Sequence, residues 1–183
     1  MLLVAQPGIF VSATKPFRDV AAFWTAVVYL WIMMILLGAV ALETFMIYPN
    51  IFAHPPASLT TALEFMQVTA PHDFFPPLGF ASWVSGATSV AFAWRVRSAR
   101  PWLIFSLAMI VADGLISMFY QWPRNEIMFV EGPAVHAPSV LVETARQFQR
   151  MHWSRLITSI GAAVGVFVGF LRLYRSQLLA ARN

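Results

Sequence analysis

His152 and Arg155 stand three residues apart at the mouth of an apolar run, residues 156–171. With Ser159 they return to one face of any helix that carries them. Two acids have equally apolar surroundings: Glu43, about two turns before Pro49, and Asp113, inside the run 101–122. An ionisable side chain near a bilayer centre costs at least ~2.5 kcal/mol on insertion scales, so such a residue faces the protein interior and marks function. Ser117, Tyr120, Gln121 and Arg124 follow Asp113 at steps of four, seven, eight and eleven, one polar stripe on a regular helix. Asn125 closes the same end, and His54 and His72 lie on a connection that hangs over it. Three chemistries are open to these groups. Glu43 and Asp113 can pair with Arg155 and Arg124 as structural ion pairs. The cluster can line a ligand pocket. Or His54, His72 and His152, with the carboxylates, can hold iron, copper or zinc; no Glu-x-x-His spacing within a helix supports such a set.

Composition sets the framework on which these residues are held. The chain is 59% hydrophobic and only 11% charged, against about 25% charged in ordinary soluble domains. Charge-free runs at 20–42 and 74–94, and the run 101–122 broken only by Asp113, are each near the ~20 residues a helix needs to cross a bilayer. The run 156–171 is shorter, so its helix starts before Arg155 and lets Arg172 snorkel at the far end. The expected fold is all-α: an integral membrane four-helix up-down bundle in a single transmembrane domain, 1–183, with spans roughly at 20–47, 74–95, 101–122 and 151–173.

Lys15 and Arg18 precede the first span, Arg95, Arg97 and Arg100 fill the turn between the second and third, and Arg172, Arg175 and Arg182 follow the fourth. By the positive-inside rule both termini are cytoplasmic and the connections 48–73 and 123–150 face outward. The expected location is a bacterial inner membrane. The N-terminal stretch has its basic residues after its apolar part, the wrong order for a cleaved signal peptide. The net charge of +4 comes mostly from arginines at helix ends, which speaks to orientation and not to nucleic acid. There is no cysteine, which excludes disulfides and thiolate chemistry.

In the first connection Leu59, Leu63 and Met66 recur at helical spacing, Thr61 and Glu64 match a capping box, and proline pairs bracket the segment, which predicts a short interfacial helix. Pro123 should end the third helix. From Ser139 a helical pattern resumes and runs into the fourth. Gly161, Gly165 and Gly169, at steps of four, form a small-residue stripe that allows close helix approach, either within the chain or against another subunit of a homo-oligomer or larger membrane complex. No glycine-rich phosphate loop, GxSxG elbow or His-x-x-x-His pair is present. A haem between two helices would need a second histidine within a span, which His152 lacks.

Four spans, a first helix ending "LLGAVALETFMIYP", a "P-x-N" at the end of the third ("WPRNEIMF") and an "H-x-x-R" opening the fourth ("MHWSRLITS") resemble the small integral membrane family that includes the fungal anthrone oxygenases. The motif positions are Pro123, Asn125, His152 and Arg155. A tryptophan common shortly before the family's histidine is absent; Phe148 and Trp153 flank His152 instead. The resemblance implies oxygen-dependent oxidation of a lipophilic, electron-rich phenolic substrate, with no established organic cofactor. On that reading His152 is the base that draws a proton from an acidic carbon of the substrate. Arg155 and Asn125 steady the resulting oxyanion, and Glu43, Asp113, Tyr120 and Arg124 contact the substrate. The alternatives are a non-catalytic accessory subunit of a larger membrane complex, a protein that binds a lipophilic ligand, and a small carrier. Four spans without a repeat argue against a secondary transporter acting alone.

Overall fold

The computed structural model describes residues 17–180. Lys15, Arg182 and the apolar N-terminal stretch lie outside the described residues. Helix α1 runs Phe17–Ile51, α2 Ala57–Phe65, α3 Pro71–Phe92, α4 Arg100–Val135 and α5 Pro138–Ala180. No strand occurs among the described residues. Three helices, α1, α4 and α5, are long and apolar enough to cross a membrane. The fourth expected span falls on α3, whose middle carries Ser82, Ser85, Thr88 and Ser89 and whose first half contains Pro76 and Pro77. Those residues dilute its hydropathy below that of the other three.

α1 packs against α3 and α5, and α4 packs against α3 and α5, so each of these long helices touches two others. The buried stripe of α1, Ala22, Ala26, Tyr29, Met33, Leu36 and Val40, advances in steps of four and three, which keeps one face inward over many turns. One apolar cluster joins Ala22 to Leu36 of that stripe to Leu103 and Ile110 of α4 and Ala162, Val166 and Leu173 of α5. A second, towards the other end, gathers Tyr48, Phe52, Leu59, Met128, Leu141 and Phe148. Between them lies a layer of buried polar side chains: Glu43, Asp113, Ser117, Gln121, His152, Arg155 and Ser159.

α1 and α4 pass through prolines without ending, and Pro123 does not terminate its helix. A proline removes one helical donor and its ring collides with the carbonyl four residues back. Both helices answer by widening into a π-turn just before the proline, Glu43–Ile47 ahead of Pro49 and Ser117–Gln121 ahead of Pro123. Each extra residue rotates the remainder of the helix by about 100° relative to a regular one.

The short helix α2 starts at Ala57 with Pro56 as its N-cap residue, and Thr61 lies inside it with its hydroxyl donating to Ala57 O. The Thr61–Glu64 capping box is therefore not formed. Its buried residues Leu59 and Ala62 join the second apolar cluster. α5 runs unbroken from Pro138 through His152 to Ala180.

The glycine stripe of α5 faces α4 of the same chain. A Cβ added to Gly169 would stand 2.8 Å from Leu103 Cδ2, and one at Gly165 would stand 3.1 Å from the Cα of Ser106. Ser106 exploits this approach, donating to Ala162 O at 2.6 Å and lying 2.8 Å from Tyr29 Oη. Its one proton is committed to the carbonyl, so the tyrosine donates to it, and α1, α4 and α5 are tied at one point.

Candidate functional site

A cavity of about 320 Å³ opens between α3 and α4, walled by Leu36, Phe75, Pro76, Phe80, Trp83, Ile110, Met118 and Trp122. Its polar lining consists of Glu43, Asp113, Ser117, Gln121, Asn125 and Arg155, together with His72 and Tyr48. The walls are cut by specific contacts. Trp83 donates from Nε1 to Ile110 O at 3.2 Å, and its ring occupies the space a Cβ at Gly114 would need. Phe80 also lines a shallow apolar groove between α1 and α3 with Trp24, Val28, Ile32 and Val84, so one ring borders both the cavity and the outer surface of these helices.

Arg155 is the centre of the polar group. Its Nη1 donates to Gln121 Oε1 at 3.2 Å and lies 3.6 Å from Glu43 Oε2, while Nε lies 3.7 Å from Asp113 Oδ1. Its guanidinium carbon stands 5.1 Å from the Phe75 ring, within cation–π range. Glu43 Oε1 accepts the hydroxyl of Tyr48 at 2.9 Å. The Thr158 hydroxyl lies 2.9 Å from both Asp113 Oδ1 and Ser154 O, so one proton serves two acceptors. The cluster thus has one guanidinium for two carboxyl groups. A surplus acid in a low-dielectric setting is the group best placed to exchange a proton with whatever enters the cavity.

His152 is brought near this cluster without joining the cavity lining. Its Nε2 lies 2.8 Å from Thr44 Oγ1, and Thr44 donates to Val40 O at 2.6 Å, so the ring carries its proton on Nε2. Nδ1 has no hydrogen-bond partner among the described residues. The ring packs edge to face with Tyr48, centroids 4.5 Å apart, and stacks on Phe148. It is Tyr48 that reaches the cavity, so His152 sits behind the wall rather than in it.

The remaining expected residues divide in the same way. Glu43, Asp113, Asn125 and Arg155 converge as the sequence suggested. Tyr120 and Arg124 do not: Arg124 lies over the Tyr120 ring at 3.5 Å and donates to Gln147 Oε1 at 3.0 Å, away from the cavity. The π-turn at Ser117–Gln121 is the reason. The α4 residues that line the cavity are Ile110, Asp113, Gly114, Ser117, Met118, Gln121, Trp122 and Asn125, two rows at steps of four, as a wider turn requires. Arg124 therefore takes no part in pairing the acids, and Arg155 serves both. His54 is exposed and lines no wall, and no group of three or more His, Asp or Glu able to hold a metal forms among the described residues. His136 instead pairs with Glu131.

Gln121, Tyr48, Thr44 and Thr158 were not singled out as site residues by sequence reasoning. Gln121 was visible as part of the stripe after Asp113; nothing in the spacing ranked it above Tyr120 or Arg124. Comparison with protein-family models, with curated proteins and with solved structures finds no match.

Proposed function

We propose that this chain is a membrane-embedded oxidoreductase that takes a lipophilic, electron-rich molecule, phenolic or anthrone-like, into the cavity and oxidises it with O2. The observation that carries this reading is one guanidinium flanked by two buried carboxyl groups at the floor of an apolar, aromatic-walled cavity. In the proposed arrangement α3 is the fourth span of an up-down bundle, both termini are cytoplasmic in a bacterial inner membrane, and the cavity faces outward.

An anthrone has an acidic carbon opposite its carbonyl. A carboxylate of the cluster, Glu43 or Asp113, takes that proton, and Arg155 with Asn125 steadies the enolate oxygen. The enolate is electron-rich enough to reduce oxygen, and the overall conversion, anthrone and O2 to anthraquinone and water, balances. This changes the roles expected from the motif. His152 becomes a positioning residue that holds Tyr48, which in turn donates to Glu43. The test is oxygen uptake and quinone formation by the purified protein in nanodiscs supplied with anthrone; a rate no higher than that of empty discs rejects the enzyme.

A second reading rests on the same cavity: a lipophilic-ligand-binding protein, or an accessory subunit of a membrane complex, that does no chemistry. It is favoured by the position of His152, since the motif's one imidazole does not touch the cavity. Saturable binding of anthrone without turnover selects it.

A further inference from the structure

Three polar atoms on residues that line the cavity have no hydrogen-bond partner among the described residues: Arg155 Nε, which faces Asp113 Oδ1 at 3.7 Å, and Gln121 Nε2 and Glu43 Oε2. Gln121 and Glu43 are deeply buried, at 2% and 6% exposure. The Gln121 amide is oriented by Arg155, which claims its oxygen and leaves its NH2 group as an unused donor. The Glu43 carboxyl is oriented by Tyr48, which claims Oε1 and leaves Oε2 with the 3.6 Å ion pair to Arg155 but no hydrogen bond. Arg155 Nη1 stands between the two, 3.2 Å from Gln121 Oε1 and 3.6 Å from Glu43 Oε2.

A buried polar atom left unpaired is penalised by its lost hydration, so a ligand that pairs both gains affinity and one that pairs neither forgoes it. Charge adds a second filter. With two carboxyl groups to one guanidinium, the floor offers no uncompensated cation to an anionic head, and desolvating that head would go unrewarded. Asn125 and His72 also line the cavity, but Asn125 is half-buried and His72 is exposed, so neither imposes the same penalty.

We infer that Gln121 and Glu43 form a donor–acceptor pair that selects, among lipophilic molecules of one size, those whose neutral polar end both accepts and donates, and that rejects carboxylates such as fatty acids. The inference rests on the reading of this cavity as a ligand site and adds the residues that set its specificity.

The test uses the full chain in nanodiscs and four probes on one ring system: 2-naphthol, 2-methoxynaphthalene, 2-naphthoate and naphthalene. Trp83 and Trp122 line the cavity, so quenching of tryptophan fluorescence, corrected for partition into empty discs, reports binding. The expected result is that 2-naphthol binds about tenfold more tightly than its methyl ether, with 2-naphthoate weaker than naphthalene. Gln121→Met should reduce the naphthol-to-ether ratio several-fold, and Glu43→Gln should narrow the gap between naphthoate and naphthalene. Gel filtration of each variant reports its fold independently. Equal binding of naphthol and its ether, or naphthoate binding as tightly as naphthol, overturns the inference while leaving the cavity a ligand site. If none of the four probes binds, the ligand-site reading fails and the inference fails with it.

Discussion

Arg155 of α5 holds its Nη1 3.6 Å from Oε2 of Glu43 on α1, both side chains less than a tenth exposed. The same guanidinium reaches Asp113 on α4, so one residue faces carboxyl groups on two other helices. Removing one partner of a buried pair is far more costly than removing the whole group, because the remaining charge is left without compensation. Arg155→Leu should therefore destabilise the protein by about 3–5 kcal/mol, read as a fall in the thermal midpoint in detergent. The triple variant Arg155→Leu, Glu43→Gln, Asp113→Asn should recover much of that loss. A triple variant no more stable than the single one would show that the three side chains do not act as a charge group.

Position, rather than residue type, sets the expectation for His152. Truncation to alanine should cost about 2–4 kcal/mol of stability by opening a void beside Tyr48 and Phe148. Turnover of anthrone, followed by anthraquinone absorbance, should fall less than in Glu43→Gln or Asp113→Asn, one of which should lose about 10²-fold or more. A folded His152→Ala protein with no turnover, beside active carboxylate variants, would restore the imidazole as the base.

The glycines separate close packing from open surface. At Gly165 an added side chain meets the backbone of Ser106, so Gly165→Leu should cost upwards of about 3 kcal/mol through overpacking of α4 on α5. Gly38, with nothing within 4 Å of an added Cβ, should accept alanine with little change in thermal midpoint. Gly114→Ala is the informative intermediate: its Cβ displaces the Trp83 indole, and naphthalene binding should weaken more than stability does.

The tie between Tyr29, Ser106 and Ala162 is smaller in scale. Tyr29→Phe removes one neutral hydrogen bond and keeps the ring, so a loss of about 0.5–1.5 kcal/mol is expected by chemical or thermal denaturation. A loss several times larger would mean that the hydroxyl does more than link α1 to α4.

Glu43, Asp113 and Arg155 were legible because charge in an apolar run is expensive and must be answered inside the protein. The unbroken start of α5 was legible too, since the pattern from Ser139 keeps helical spacing into the apolar run. What the spacing hid is the π-turn. Sequence periodicity assumes a regular helix, and a proline on that assumption is an end; at Pro49 and Pro123 the chain widens instead and continues. That single change of pitch turned Tyr120 and Arg124 away and kept Gln121 and Asn125 on the cavity. His152 shares its helical face with Arg155 and Ser159, but its ring packs against Tyr48 and pairs with Thr44, residues of another helix that no pattern within α5 reveals. The lower hydropathy of α3 reflects its serines, threonine and prolines, which the charge-free run 74–94 concealed.

The proposed chemistry stands or falls on oxygen uptake by the purified protein in nanodiscs as anthrone is titrated, with wild type compared against the single variants Glu43→Gln and Asp113→Asn, each of which keeps one carboxyl group beside Arg155. The proposed oxidoreductase predicts uptake that saturates with anthrone, equimolar formation of anthraquinone, and loss of both in at least one of the two variants. Uptake indistinguishable from that of empty discs, or unchanged in both variants, would contradict it.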